Sequence, residues 1–377
     1  MRRMPSLVDG LVALGGVLGG VLGGLLGGLL GGLLGFLLLV GGTCAGAAAI
    51  AYNLLSRESI TASAFRKASK YKVVNLSAGA TAYRDLGKKG DTVLVIIHGG
   101  TLGSLAYVPY EAPFLQQHFR VVTYDQYGRG FSDRPEAPLT LEVLRQQLEE
   151  LLDHLNIHTA VLYGVSLGAA VAARFAAVAP ARVAALGFQV PVIRMHHPPA
   201  LRVLMAAPPL VRAWFARVLM IPMLIRRGES VAPPGTDARA VAVRRVIAHF
   251  IEQFTVIGTE RCISSLFTTD ALRDRMADHR TVAAARIACH YAYATDDPEM
   301  PRAAIEEAIS LHAEGCVESA QYTGGHFFSE GRQPELAAAF AAFVEAAEFA
   351  AVVEARAQGS APVPRRRSKS PARSRGS

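Results

Sequence analysis

Residues 160–170 have the sequence Ala-Val-Leu-Tyr-Gly-Val-Ser-Leu-Gly-Ala-Ala, in which an apolar run leads through Gly-x-Ser-x-Gly into an alanine-rich segment. This order predicts a buried strand, a sharp turn and a helix, with Ser166 at the apex of the turn. The flanking glycines let the backbone pass close to its neighbours. Backbone N–H groups and the positive end of the helix would face any negative group bound beside Ser166. Ser166 is therefore a candidate nucleophile.

The composition separates an apolar start and a basic end from a nearly neutral body. The chain has 377 residues, of which 51% are hydrophobic and only 19% are charged. The net charge is +8, and seven Lys and Arg residues with no acid follow residue 355. The remaining body is close to neutral, which argues against a nucleic-acid-binding fold. Residues 358–377 are rich in Pro, Ser and Arg and are predicted to be a disordered basic tail.

Residues 1–56 form a separate apolar segment. No charge occurs between Asp9 and Arg57, and Leu-Gly repeats fill much of this window. A spanning helix needs about 20 apolar residues, so the window is long enough for one span or two. We therefore expect a membrane anchor; a cleaved signal peptide and a low-complexity segment without structure are the alternatives. Lys and Arg are in excess after the segment, which favours a cytosolic location for the folded domain.

A glycine-rich loop follows the apolar, β-branched run Thr92–Ile97, which is typical of a central strand covered on both faces. The loop begins with His98 and allows its backbone to approach a ligand. We expect the N–H of Gly100 to form an oxyanion hole with the N–H of Leu167, and Thr101 is the alternative to Gly100. His98 is expected to be structural and to hold this loop.

The next apolar run, residues 120–124, leads into the turn Asp-Gln-Tyr-Gly-Arg-Gly-Phe-Ser at residues 125–132. Ser132 lacks the strand–turn–helix frame of Ser166, so we predict that it fixes the loop. His-Gly, Asp-x-x-Gly-x-Gly-x-Ser and Gly-x-Ser-x-Gly thus follow three successive strands. This order resembles that of α/β-hydrolase fold proteins, over about residues 71–352. The resemblance implies an α/β fold with a mostly parallel central sheet flanked by helices and an inserted helical lid.

A carboxylate and a histidine are needed to activate a serine, and both are expected at the ends of late strands in the chain order Ser, acid, His. Asp296 and Asp297 end the apolar run at 285–294. Asp297 is preferred because Asp-Pro-x-x-Pro resembles the family's acid turn, whereas Asp296 is better suited to capping the following helix. The loop Gly-Gly-His after the last predicted strand resembles the family's catalytic histidine position and makes His326 the expected base.

The sequence divides into five expected parts: the anchor 1–56, the first half of the core 57–190, the lid 191–280, the second half of the core 281–357, and the tail 358–377. The apolar lid stretch 201–225 would line the pocket, form the core of the lid or dock on a membrane. His196 and His197 are neighbours whose side chains diverge, and no third ligand accompanies them. The cysteines show no Cys-x-x-Cys spacing, so no metal site is expected.

The resemblance and the anchor together predict a membrane-anchored serine hydrolase that cleaves carboxylic esters through an acyl-enzyme, with neither metal nor organic cofactor. An apolar lid and an anchor favour lipid-like esters, such as an acylglycerol or a lysophospholipid. A peptidase similar to proline iminopeptidases, a thioesterase and an inactive membrane-tethered scaffold are the alternatives. No nucleic-acid partner is expected, and the sequence leaves the oligomeric state open.

Overall fold

The computed structural model describes residues 57–67, 69–195, 207–230 and 238–357, together with the isolated residues 42, 46, 47, 50, 203 and 236. The expected membrane anchor therefore lies outside the described residues, apart from four isolated positions, and so does the basic tail. Within the described part of the chain, no helix is both long enough and apolar enough to cross a bilayer.

One sheet of eight strands organises the described part of the chain. The strands are β1 Lys72–Leu76, β2 Gly79–Leu86, β3 Thr92–Ile97, β4 Phe119–Tyr124, β5 Ala160–Val165, β6 Val183–Gln189, β7 Cys289–Ala294 and β8 Val317–Tyr322. They lie side by side in the order β1-β2-β4-β3-β5-β6-β7-β8. β2 is antiparallel to both of its neighbours, and the pairs from β4 to β8 are parallel. The predicted mostly parallel sheet is confirmed.

Helices cover both faces of this sheet. They are α1 Ala62–Arg66, α2 Val108–Gln116, α3 Leu141–His154, α4 Leu167–Val178, α5 Pro209–Phe215, α6 Ile221–Ser230, α7 Ala238–Glu252, α8 Thr259–Thr268, α9 Met276–Ala284, α10 Arg302–Ser310 and α11 Gln333–Ala357. Leu94 and Ile96 of β3 belong to a core that includes residues of α2 and α11. Val95 and Ile97 belong to the core on the other face, which includes residues of α3 and α4. This two-sided burial explains why β3 is apolar at successive positions.

The lid consists of α5 to α8, which are inserted between β6 and β7. A π-helical turn, Ala216–Met220, joins α5 to α6. The lid has an apolar cluster of its own, in which Met220 and Ile225 are buried together with Phe250 and Phe254. Leu102, from the loop after β3, packs against this cluster. The lid therefore contacts the loop that is expected to carry an oxyanion donor.

Helix α9 shows where the lid ends in the structure. We expected the lid to extend to residue 280, but Met276 and Val282 of α9 are buried in the main core. Asp278 of α9 also receives a hydrogen bond from Arg174 of α4, at 3.3 Å. The short, mixed sequence of α9 does not indicate which surface the helix covers, and that surface is the main core. β7 then starts at Cys289, after the predicted position 285.

Candidate active site

The turn between β5 and α4 holds Ser166 in a strained conformation. Its φ is 54° and its ψ is −116°, which is uncommon for a residue with a side chain. Such a conformation costs about 1–3 kcal/mol and persists only where the surroundings enforce it. Here the N–H of Ser166 donates to the carbonyl oxygen of Gln189 at 2.9 Å, and its carbonyl oxygen accepts from the N–H of Ala169 at 3.0 Å. The turn therefore presents Ser166 at the carboxyl end of β5.

The two glycines of the Gly-x-Ser-x-Gly pattern are required by close backbone contacts. A Cβ on Gly164 would lie 2.5 Å from the Cα of Ala169. A Cβ on Gly168 would lie 2.0 Å from the carbonyl oxygen of Ile97, in β3. Both contacts involve backbone atoms that cannot move without disturbing a strand or a helix. The glycines therefore allow α4 to pack directly against the centre of the sheet.

The loops after β7 and β8 bring an aspartate and a histidine together. Oδ2 of Asp297 lies 2.8 Å from Nδ1 of His326. The Asp297 side chain is 1% exposed and that of His326 is 12% exposed. Oδ1 of Asp297 accepts hydrogen bonds from the N–H groups of Glu299, at 2.8 Å, and Met300, at 3.2 Å. Both carboxylate oxygens thus have fixed partners, and the imidazole is oriented through Nδ1.

The Asp297 carboxyl has a pKa below its ordinary value. Burial acts to raise this pKa, but it is outweighed by the hydrogen bond and the charge of His326 and by the N–H groups of Glu299 and Met300. The carboxylate is therefore ionised at neutral pH. An ionised partner at Nδ1 favours the tautomer with the proton on that nitrogen, which leaves Nε2 as a base.

The structure does not join Ser166 to His326 by a hydrogen bond: none is found between these two described residues. Both nevertheless lie beyond the carboxyl ends of parallel strands, β5 and β8, and such ends share one edge of a sheet. Ser166 and His326 therefore lie at the same edge of the sheet. Catalytic hydrogen bonds are often long without substrate and shorten in the reacting complex.

The loop after β3 lies beside the elbow. A Cβ on Gly99 would be 3.5 Å from the Cβ of Ser166, and a Cβ on Gly100 would be 3.8 Å from Cδ2 of Leu167. Among the described residues, neither the N–H of Gly100 nor that of Leu167 donates to a protein acceptor. Both expected oxyanion donors are therefore available near Ser166. Thr101 remains the alternative, and its carbonyl oxygen accepts a hydrogen bond from the lid.

A protein-family model matches about a third of the chain. Residues 92–219, which include β3, the elbow and the first lid helix, match the model described as alpha/beta hydrolase fold. The chain has the α/β-hydrolase fold. Its sheet order, elbow and inserted lid agree with this classification.

Curated proteins match shorter stretches. The chain is 39% identical over 102 residues to the dihydrolipoyllysine-residue acetyltransferase component of the acetoin cleaving system of Pseudomonas putida. The matched stretch covers 27% of this chain and 27% of that protein. It is 32% identical over 74 residues to 3-oxoadipate enol-lactonase 2 of Acinetobacter baylyi, which covers 19% of this chain and 28% of that protein. The match thus spans under a third of the length of either relative.

A solved structure extends the likeness over the whole described fold. The enol-lactonase from Burkholderia xenovorans superposes with a TM-score of 0.59 at 20% identity, covering 73% of this chain and 100% of that protein. At this identity the likeness supports the α/β-hydrolase fold alone.

Two polar residues that were expected to be structural fix loops in this α/β-hydrolase fold protein. His98 is buried: its Nδ1 donates to the carbonyl oxygen of Gly99 at 2.7 Å, and its Nε2 accepts from the N–H of Gln126 at 2.8 Å. Burial, aided by the charge of Arg129, lowers the pKa of His98 to about 3. Ser132 accepts from the N–H of Ala82 and donates to a backbone carbonyl. Both predictions are confirmed.

Asp296 has a role that sequence reasoning missed. Its carboxylate accepts hydrogen bonds from the N–H groups of Gly324, at 3.0 and 3.1 Å, and Gly325, at 3.0 Å. These bonds, with Gly325 first, lower the pKa of Asp296. Asp296 therefore ties the acid loop to the histidine loop, and the expectation that it caps the following helix is wrong. The sequence signal for this loop is the pair of glycines before His326, and both glycines adopt positive φ in the structure.

Gln253 is a second residue that the sequence did not indicate. It lies in the turn between α7 and α8 and is buried. Its amide nitrogen donates to the carbonyl oxygen of Thr101 at 2.8 Å, and its amide oxygen accepts from the N–H of Gly130 at 3.3 Å. Gln253 thus joins the lid to the residue beside Gly100. A partner that is 152 positions away in the chain leaves no local sequence signal.

No metal site is found in the part of the chain that the structure describes, where no three His, Cys, Asp or Glu side chains are suitably grouped. His196 and His197 lie outside the described residues.

Proposed function

We propose that this protein is a membrane-anchored serine hydrolase that cleaves carboxylic esters, with Ser166 as nucleophile, His326 as base and Asp297 as the orienting acid. The observation that carries the proposal is the 2.8 Å hydrogen bond between Asp297 and His326, formed by loops at the sheet edge where the strained Ser166 turn also lies. A buried carboxylate that holds Nδ1 of a histidine is the arrangement that activates a serine.

The reaction would proceed through one acyl-enzyme, with two proton transfers in its formation and two in its hydrolysis. Nε2 of His326 takes the proton of Ser166 as its Oγ attacks the ester carbonyl carbon. The N–H groups of Gly100 and Leu167 stabilise the oxyanion that forms. The oxyanion collapses, the carbon–oxygen bond to the alcohol breaks, and the alcohol leaves with the proton from His326. A water then gives a proton to His326 as its oxygen attacks the acyl carbon. The bond from that carbon to Oγ of Ser166 breaks, Oγ takes the proton back from His326, and the acid leaves.

The substrate class is inferred from the surroundings of the site. The lid core is apolar, and Leu102 joins it to the oxyanion loop, which favours an apolar acyl group beneath the lid. The apolar run between residues 10 and 56 would keep the domain near a lipid phase. The enol-lactonases similar to this chain are named for a cyclic ester. We therefore favour a lipid-like ester, such as an acylglycerol or a lysophospholipid, and a cytosolic location for the domain.

A panel of p-nitrophenyl esters of increasing acyl length tests this proposal. The full-length chain in mixed micelles should hydrolyse long acyl esters with a higher kcat/KM than acetate, and Ser166→Ala should abolish both activities. A monoacylglycerol assay by fatty-acid release should give the same order. A rate that falls steadily with acyl length, with no release from monoacylglycerol, would remove the lipid assignment and leave an esterase.

A further inference from the structure

The lid presents an apolar stripe to solvent. Val211 on α5, Leu219 in the π-helical turn and Met223 on α6 are 49%, 49% and 63% exposed; we call these three the lid stripe. An α-helix repeats about every 3.6 residues, so positions eight or twelve apart would drift around it. A π-helical turn takes more residues per turn, which offsets this drift, so we expect the lid stripe to share one face.

The lid stripe is distinct from the core of the lid. The opposite side of the same helices carries Ala216, Met220 and Ile225, which are buried against Phe250 and Phe254. The lid therefore has enough apolar surface for its own packing, and the lid stripe is additional. Single exposed apolar residues are ordinary, whereas an aligned set on one helical face marks a contact surface.

The first described residues after the N-terminal apolar segment lie beside the lid. The N–H of Ser59 donates to the carbonyl oxygen of Thr255 at 2.7 Å, and the N–H of Ile257 donates to that of Ile60 at 2.9 Å. Thr255 and Ile257 belong to the connection between α7 and α8, and Ile257 is 52% exposed. The point at which the chain follows the uncharged run, at Ser59 and Ile60, is thus next to the lid.

The charge of the lid indicates the chemistry of its partner. The helices α5 to α8 and the π-helical turn contain eight arginines and three glutamates, and Arg217 pairs with Glu260. An apolar helical face accompanied by basic residues is typical of a segment that lies in the interface of an anionic membrane. A partner with a purely polar surface would leave the apolar side chains of the lid stripe exposed to water.

We propose that the lid stripe docks on the surface of an anionic lipid bilayer, so that the lid lies in the interface while the N-terminal segment anchors the chain. This inference rests on the membrane anchoring of the proposed function and adds the surface that faces the membrane. A lipid ester would then pass from the bilayer to Ser166 under the lid without crossing water.

Trp214 provides a built-in reporter, because it is the single tryptophan of the chain and lies on α5, three residues after Val211. The full-length chain is bound to phosphatidylcholine–phosphatidylglycerol vesicles with or without bromine on the acyl chains, and Trp214 fluorescence is compared. Bromine should quench the wild type. Met223→Glu and Val211→Glu should each lower the partition of the lid into lipid on the order of tenfold, and quenching should fall accordingly.

Val178→Glu is the matched control, since Val178 is 49% exposed like Val211 but ends α4, outside the lid. Quenching equal to that of the wild type is expected. Full quenching in Met223→Glu, or vesicle-bound protein with unquenched Trp214, would overturn lid docking and leave the anchor intact. A dimer that Met223→Glu dissociates, with Trp214 unquenched, would assign the stripe to a second copy. Protein that does not float with vesicles overturns anchor and docking together.

Hydrolysis of a soluble short-chain ester in the same samples separates these results from the catalytic proposal. If every lid-stripe variant still hydrolyses the soluble ester through Ser166, the lid stripe affects membrane binding and not catalysis. Wild-type protein that binds and is quenched, but shows no Ser166-dependent hydrolysis, would contradict the proposed function and leave the lipid surface as the partner of the lid.

Discussion

Replacing Asp297 by asparagine exchanges one carboxylate oxygen for an NH₂ group and tests the assignment of the acid. Oδ1 of Asp297 accepts from the N–H groups of Glu299 and Met300, so this position must keep an acceptor. The new NH₂ group is therefore forced into the Oδ2 position, facing Nδ1 of His326 at 2.8 Å. Two donors cannot face each other, so His326 must move its proton to Nε2.

The expected loss is large because the wrong tautomer removes the base altogether. With the proton on Nε2, His326 cannot accept the proton of Ser166. Such a change lowers kcat by about 10⁴-fold in enzymes that use this arrangement, or about 5.5 kcal/mol of transition-state stabilisation. Asn is nearly the same size as Asp and keeps the bonds to Glu299 and Met300, so we expect the fold to survive.

The assay is the kcat of a short p-nitrophenyl ester, measured for D297N and for D296N. The adjacent Asp296 is the matched control: its asparagine keeps a carbonyl oxygen for the N–H groups of Gly324 and Gly325. D296N should therefore lose far less activity. Equal losses in the two variants, or a D297N enzyme within about tenfold of the wild type, would refute the argument that Asp297 sets the tautomer.

Three further outcomes follow from buried contacts. Gln253→Leu leaves a buried backbone N–H unpaired, so calorimetry should show a loss of about 1–3 kcal/mol and kcat should fall with the loosened oxyanion loop. Burial lowers the pKa of both His98 and His279 to about 3. Below pH 6.5 the unfolded chain therefore binds more protons at these histidines than the folded chain does. The free energy of unfolding should fall by about 2 kcal/mol per histidine between pH 7 and pH 5. Gly168→Ala should lower the free energy of unfolding by about 1–3 kcal/mol, because its Cβ would clash with the carbonyl oxygen of Ile97. A variant whose melting temperature equals that of the wild type would contradict the contact that it removes or crowds.

The sequence predicted those parts of the fold and site whose signals are local. Ser166 and Asp297 each follow a short apolar run, His326 follows the last predicted strand, and parallel strands bring their ends to one edge. The glycines around Ser166 are also a local signal, because the tight turn needs them wherever it occurs. The mostly parallel sheet could therefore be inferred from the order of the loop motifs.

The remaining features depend on contacts across the chain. The bonds of Gln253 to Thr101 and of Asp296 to Gly324 join segments that are far apart in sequence. The end of the lid also depends on such contacts, because the sequence of α9 does not show whether the helix packs on the lid or on α4. These features are set by contacts between distant segments, which a local sequence pattern does not reveal.

Labelling with a fluorophosphonate probe tests the central claim most directly, because the probe reacts with a serine only when a base activates it. The wild-type chain should form a stable adduct that mass spectrometry places on Ser166, and Ser166→Ala should remain unlabelled. An unlabelled wild type, or labelling that survives Ser166→Ala, would contradict the assignment of this chain as a serine hydrolase.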